Sequence, residues 1–168
     1  MEQKFDCCST LALAGVGVRK KSGVIPIYSV GMYSSASGLS GGSAASLLAR
    51  SAPKVAQLTF ALITGVPAES AAAALRDGVA KVGGVDKAVL SEFKALLMSG
   101  LGSAKMKKKE TMTLEWGGDG KSSVAVTVRG KYVGKIKNPS LANALLRLYL
   151  DEKYTVSKAL VKNIGSGK

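Results

Sequence analysis

The chain has 168 residues, with 24 lysines and arginines against 11 aspartates and glutamates, a formal net charge of +13 and no histidine. That length suits one domain with a single core, spanning 1–168. Without histidine, Ser-His-Asp and Cys-His nucleophilic sites, the common zinc sets and the usual neutral-pH acid–base group are excluded.

The amino terminus, Met1-Glu2-Gln3-Lys4-Phe5-Asp6, lacks the charged, apolar and small-residue zones of a secretory signal. Cys7 and Cys8 are adjacent, a spacing that fits neither a C-x-x-C redox pair nor a metal site and predicts a reducing compartment. Thr10 to Ala14 leads into Gly15-Val16-Gly17-Val18-Arg19, and Val24 to Tyr33 is rich in β-branched and aromatic residues. Both read as strands joined by a turn at Lys20 to Gly23, with Pro26 at the start or edge of the second.

Ser34 to Ser46 is serine- and glycine-rich and reads as an irregular segment, after which Ser43 caps a short helix through Arg50. Val55 to Ile63 resumes strand character. Within it Leu58-Thr59-Phe60-Ala61-Leu62-Ile63 is the most apolar stretch and is strand-sized, far short of the roughly 20 residues that span a bilayer. Pro67 and Glu69 open a helix carrying Ala71, Leu75, Val79 and Val82 at helical spacing, closed by Gly83-Gly84. Asp86 caps a second helix with Val89, Leu90, Phe93, Leu96 and Leu97 on one stripe, closed by Gly100 and Gly102.

After Lys105, Lys107, Lys108 and Lys109, the one dense basic cluster, the period changes to two through Met112, Leu114 and Trp116 and then Val124, Val126 and Val128. Gly117-Gly118-Asp119-Gly120 marks the hairpin between them, and a short strand follows at Lys131 to Ile136. Asn138-Pro139 opens a helix with Leu141, Leu145 and Leu148 on one face, and Thr155 starts a last short helix through Ile164. Strands, helices, a strand meander and helices again define an α+β domain with helices layered on a mainly antiparallel sheet.

The scattered lysines read as solvated faces, and few aromatics interleave with them, so no nucleic-acid platform is predicted. Transient attraction to an acidic lipid or acyl carrier is the other use of the charge. Gly15-x-Gly17 is no dinucleotide loop: position 20 is Lys20, and a strand follows instead of a helix. If the first two long strands pair across their turn, Arg19 and Tyr28 face one cavity, a fork donor and a hydroxyl suited to a carboxylate.

Here the chain resembles the chalcone isomerase fold family, which includes plant chalcone isomerases and their fatty-acid-binding and chalcone isomerase-like relatives. The resemblance rests on Gly15 to Lys21, Ile27 to Tyr33, Asn138 to Leu145, Leu148-Tyr149-Leu150-Asp151-Glu152 and Val156-Ser157. It implies an open-faced β-sandwich in which helices cover a large sheet and enclose an apolar cleft. It also implies that Arg19 matches the isomerases' strand-end arginine, whereas Tyr28 stands where they carry threonine, as in the fatty-acid-binding branch.

The isomerase tyrosine and asparagine fall near Ser70 and Asp77, and the late threonine near Leu148. Each has a plainer reading: Ser70 as a helix-surface residue, Asp77 as a solvated carboxylate, Leu148 as core.

The expectation is therefore non-catalytic binding of a fatty acid or similar amphipathic carboxylate. Arg19 and Tyr28 would hold the headgroup, and the strands with helices 67–82 and 86–98 would surround the tail. No cofactor or metal is called for, and a soluble intracellular protein is expected, with a plastid or other organelle open if a targeting segment has been removed. The alternative is a chalcone-flavanone isomerase-type intramolecular lyase using Arg19 and Tyr28. A third reading is a non-enzymatic helper that binds a partner protein or flavonoid.

Overall fold

The computed structural model describes residues 2–5, 8–40, 42–62 and 64–165. Seven strands run in the order β1 (Glu2–Phe5), β2 (Cys8–Lys21), β3 (Ile25–Ser34), β4 (Lys54–Phe60), β5 (Thr111–Trp116), β6 (Val124–Val128) and β7 (Lys131–Ile136), each antiparallel to its chain neighbour. The helices are α1 (Ala36–Leu39), α2 (Ala44–Ala49), α3 (Ala68–Val82), α4 (Lys87–Leu101), α5 (Pro139–Leu150) and α6 (Lys158–Asn163). Among the described residues, no helix is long and apolar enough to cross a membrane.

The strand period of two decides which side chains meet the helices. Tyr28 pairs with Phe60, Val30 with Leu58 and Met32 with Ala56, while Leu58 and Leu114 continue through Met112 and Val126. This face is buried beneath α3, α4 and α5. Trp116 anchors α5 by donating its indole N–H to the carbonyl of Ala142 at 3.0 Å. The opposite face is largely polar, with a small apolar cluster of Leu11, Tyr33 and Val55, so the layers form an open-faced sandwich.

Several boundaries differ from the expectations for physical reasons. Ser34–Ser46 is not wholly irregular: Ser34 ends β3 with its hydroxyl bonded to the Pro53 carbonyl at 2.9 Å, and α1 follows. Gly100 lies inside α4 rather than ending it, because a side chain there would meet Val133; Gly102, with φ 64°, is the terminus. Asp86 sits at the start of α4 without a side-chain capping bond. The cap of the last helix is Ser157, not Thr155, whose hydroxyl instead ties together the backbone of Tyr149 and Ser157. Ser43 and Asn138 cap as expected, accepting from the amides of Ser46 and Leu141. Cys7 lies outside the described residues.

Gly15 and Gly17 have a packing role. Beyond Ala12 the outer edge of β2 has no strand partner among the described residues, and α6 covers it. Ser157 Oγ accepts from the Val18 amide at 3.1 Å, and Asn163 Nδ2 donates to the Val16 carbonyl at 3.1 Å. A Cβ at position 17 would stand 2.5 Å from Ser157 Oγ and 2.8 Å from the Leu160 backbone nitrogen.

Lys54 is buried on the helix face, where its ammonium donates to the carbonyls of Arg50 at 2.7 Å and Ala52 at 3.0 Å. Burial, then repulsion from Lys121, lowers its pKa to about 8.

Two outcomes follow from these contacts. Gly17→Ala should lower unfolding free energy by about 1–3 kcal/mol, the usual cost of overpacking against backbone, as read by denaturant melts. Lys54, with a folded pKa below the unfolded value of 10.5, penalises folding below pH 8. Its contribution should improve as pH rises from 8 to 10.5, by at most about 3 kcal/mol. Lys54→Met should remove that rise; an identical pH profile in wild type and variant would show that the ammonium is not desolvated.

Candidate ligand-binding site

A cavity of about 650 Å³ opens between the β2–β4 end of the sheet and α3. That volume lies within the roughly 300–1,000 Å³ range of small-molecule sites. Its floor is apolar and comes from the buried strand face: Leu58 and Phe60 of β4, with Ile27 of β3. Ala71, Leu75 and Gly78 of α3 form one wall, and Leu148 with Val156 the far side.

Position 78 must be small here, since an added Cβ would lie 2.9 Å from a Leu148 methyl. Tyr154 completes the rim, its ring held between Arg147 and Lys153, whose cationic groups lie 4.7 and 5.1 Å from its centroid.

The two residues singled out in the sequence meet at this cavity. Arg19 and Tyr28 are directly opposite in the β2–β3 ladder, so their side chains emerge on the same face, and both line the cavity. A bulge immediately follows, with Lys20 opposite Pro26. Arg19 is solvent-exposed at the strand end, whereas Tyr28 is 9% exposed and packs on Phe60 with ring centroids 5.9 Å apart.

The arginine's lack of a partner is informative. Of the chain's five arginines, Arg76, Arg129 and Arg147 pair with Asp77, Glu110 and Asp151, and Arg50 donates to the Ser37 carbonyl. Arg19 has neither a carboxylate nor a hydrogen-bond acceptor among the described residues.

Burial raises the Tyr28 phenol above its ordinary pKa, opposed more weakly by the Tyr149 hydroxyl and the Arg19 charge. Burial also pushes the fully enclosed Tyr149 phenol well up. Both are neutral hydroxyls at physiological pH and thus hydrogen-bond donors. The Tyr149 hydroxyl faces that of Tyr28 but meets no partner at good hydrogen-bond geometry among the described residues. The group sequence reasoning missed is this second tyrosine, whose place on the apolar stripe of α5 reads as ordinary core.

Ser70, Asp77 and Leu148 line the same cavity. Ser70 and Asp77 are exposed at its rim, with Asp77 accepting from Arg76 Nε at 2.8 Å, and Leu148 is core. One expectation is corrected: α4 contributes no lining residue, because it packs over β6, β7 and α3 instead. Lys21, Lys81 and Lys153 also border the opening and make it cationic. No cluster of three or more metal-ligating side chains occurs among the described residues.

Tyr149→Phe should leave stability within about 1 kcal/mol, since the hydroxyl it removes has no well-formed bond. It should also move Tyr28 ionisation further up in an ultraviolet pH titration, because the opposing hydroxyl is gone. A downward shift would contradict this arrangement.

The family model described as chalcone isomerase-like matches residues 5–163. Among solved structures, the chain is similar to the crystal structure of a fatty-acid binding protein of Arabidopsis thaliana. The two are 20% identical, with a TM-score of 0.77, over 98% of this chain and 90% of the other. No curated protein matches the chain at a significant level.

Proposed function

We propose that this chain, which belongs to the chalcone isomerase-like family, holds a fatty acid or similar amphipathic carboxylate without transforming it. The observation that carries the reading is the pairing of an uncompensated arginine with a buried neutral phenol at the mouth of an apolar cavity. A carboxylate there accepts from both groups, the guanidinium supplying charge and a fork of N–H donors, and Tyr28 one O–H. The hydrocarbon tail then lies along Leu58, Phe60 and Leu75. The likeness in fold to a protein described as fatty-acid binding supports the same reading.

Chalcone cyclisation makes further demands. Donors must surround a developing enolate, and the reacting phenolate must be held against the enone. Around this cavity Leu148 offers no donor, the Asp77 carboxylate is an acceptor already engaged by Arg76, and the Ser70 hydroxyl stands exposed at the rim, where water competes for it. This favours Arg19 and Tyr28 as a headgroup clamp over a catalytic set.

Isothermal titration with saturated fatty acids of increasing length tests the proposal. Affinity should rise about fourfold per methylene until the cavity is filled, reflecting about 0.8 kcal/mol for each buried CH₂. Arg19→Ala should weaken binding by about 1.5–3 kcal/mol, roughly 10- to 150-fold. Unchanged affinity in that variant would remove Arg19 from the site, and acceleration of chalcone absorbance loss above buffer would overturn the non-catalytic reading.

A further inference from the structure

We propose that the β2–β3 hairpin tip docks the cavity mouth onto an anionic bilayer surface. Four of the five large apolar side chains that stand exposed among the described residues lie on this hairpin: Val16, Val18, Val24 and Ile25. Val24 is 77% exposed and Ile25 48%, and both flank the turn where Ser22 and Gly23 take positive φ. Every residue from Val18 to Pro26 is exposed, so the tip projects from the domain.

The charges on this projection are of one sign. Arg19, Lys20 and Lys21 sit on it, and the chain has no aspartate or glutamate from Cys8 to Ser34. Across the opening stand Lys81 and Lys153, while the acidic residue on the rim, Asp77, is paired with Arg76.

An apolar tip collared by lysines has the chemistry of a bilayer interface. Valine and isoleucine enter the boundary between headgroups and acyl chains, and each cation held near an anionic surface adds to the attraction. A convex tip also suits fluid lipid, which closes around it, better than an acidic protein, which would need a matching pocket.

Arg19 and Lys21 link the two features, because they belong to both the hairpin and the cavity lining. Docking by the tip therefore brings the cavity mouth to the depth at which a membrane-resident carboxylate lies. The docking stands on the tip alone; only the identity of the cargo rests on the function proposed above.

Vesicle flotation of the full chain without added fatty acid tests the docking. The vesicles are phosphatidylcholine alone or mixed with phosphatidylglycerol. The protein should float with the mixed vesicles, less so as salt is raised, and not with the neutral ones. Val24→Ser with Ile25→Ser should reduce flotation by at least about tenfold, and Lys20→Gln more modestly. Fatty-acid affinity in solution and the circular dichroism spectrum should stay unchanged in these variants.

Tyr132→Ser removes the fifth of the large apolar side chains exposed among the described residues, on β7 away from the tip, and serves as the control. Equal partition to both vesicle types, or undiminished flotation of the double variant, would overturn the proposal. So would absence of flotation with retention on an acidic protein surface. Flotation by a protein that takes up no fatty acid would leave the docking intact and refute the cargo.

Discussion

The close approach of α6 to β2 is the contact on which the site depends. It exists because positions 15 and 17 have no side chain, which lets the Ser157 hydroxyl reach the Val18 amide and the start of α6 lie against the strand. The otherwise unpaired backbone of β2 thereby finds partners, as a buried sheet edge requires. Arg19 lies two residues beyond Gly17, so the same contact fixes where the guanidinium emerges. From the other direction it pins the segment after α5, which carries Lys153, Tyr154 and Val156 to the cavity rim. One glycine pair thus sets both sides of an opening.

Electrostatics then separate scaffold from site. Three arginines are paired with carboxylates, and the buried Lys54 is held by the carbonyls of Arg50 and Ala52. These are cations whose interactions are completed within the fold. Arg19 is set apart by its cross-strand neighbour Tyr28, which cannot neutralise it because burial keeps the phenol protonated. Under the function proposed above, a positive charge beside a neutral donor at the end of an apolar chamber is what would select a ligand with an anionic head and a hydrocarbon body. Neither element alone would do so.

Much of this was legible in the chain. The spacing of Ala71, Leu75, Val79 and Val82 marks α3 because a helix that buries one face repeats its apolar residues at that interval, and the alternation through Met112 to Trp116 marks β5 likewise. Asn138-Pro139 reads correctly because capping is local chemistry. Arg19 and Tyr28 could be joined because a hairpin register follows from its turn.

What was hidden depends on three-dimensional neighbours. Thr155 and Ser157 are both hydroxyls two residues apart, and only the position of β2 decides which one caps α6. Gly100 resembles a helix terminator until Val133 is found against it. The α4 helix shows the same apolar pattern as α3, yet lies over β6 and β7 and lines no part of the cavity. Tyr149 is indistinguishable in pattern from a core residue, and its significance comes from the phenol it faces.

The topology also orders events during synthesis. Each strand pairs with the one before it, so the sheet can grow in chain order, its longest step being the pairing of β5 with β4 across residues 61–110, which carry α3 and α4. The bond between Val18 and Ser157 breaks that pattern, joining residues 139 apart. The edge of β2 beside Arg19 therefore stays uncovered until the segment carrying Ser157 and α6 has been made, so the strand that presents the guanidinium is among the first elements formed and the last to be braced.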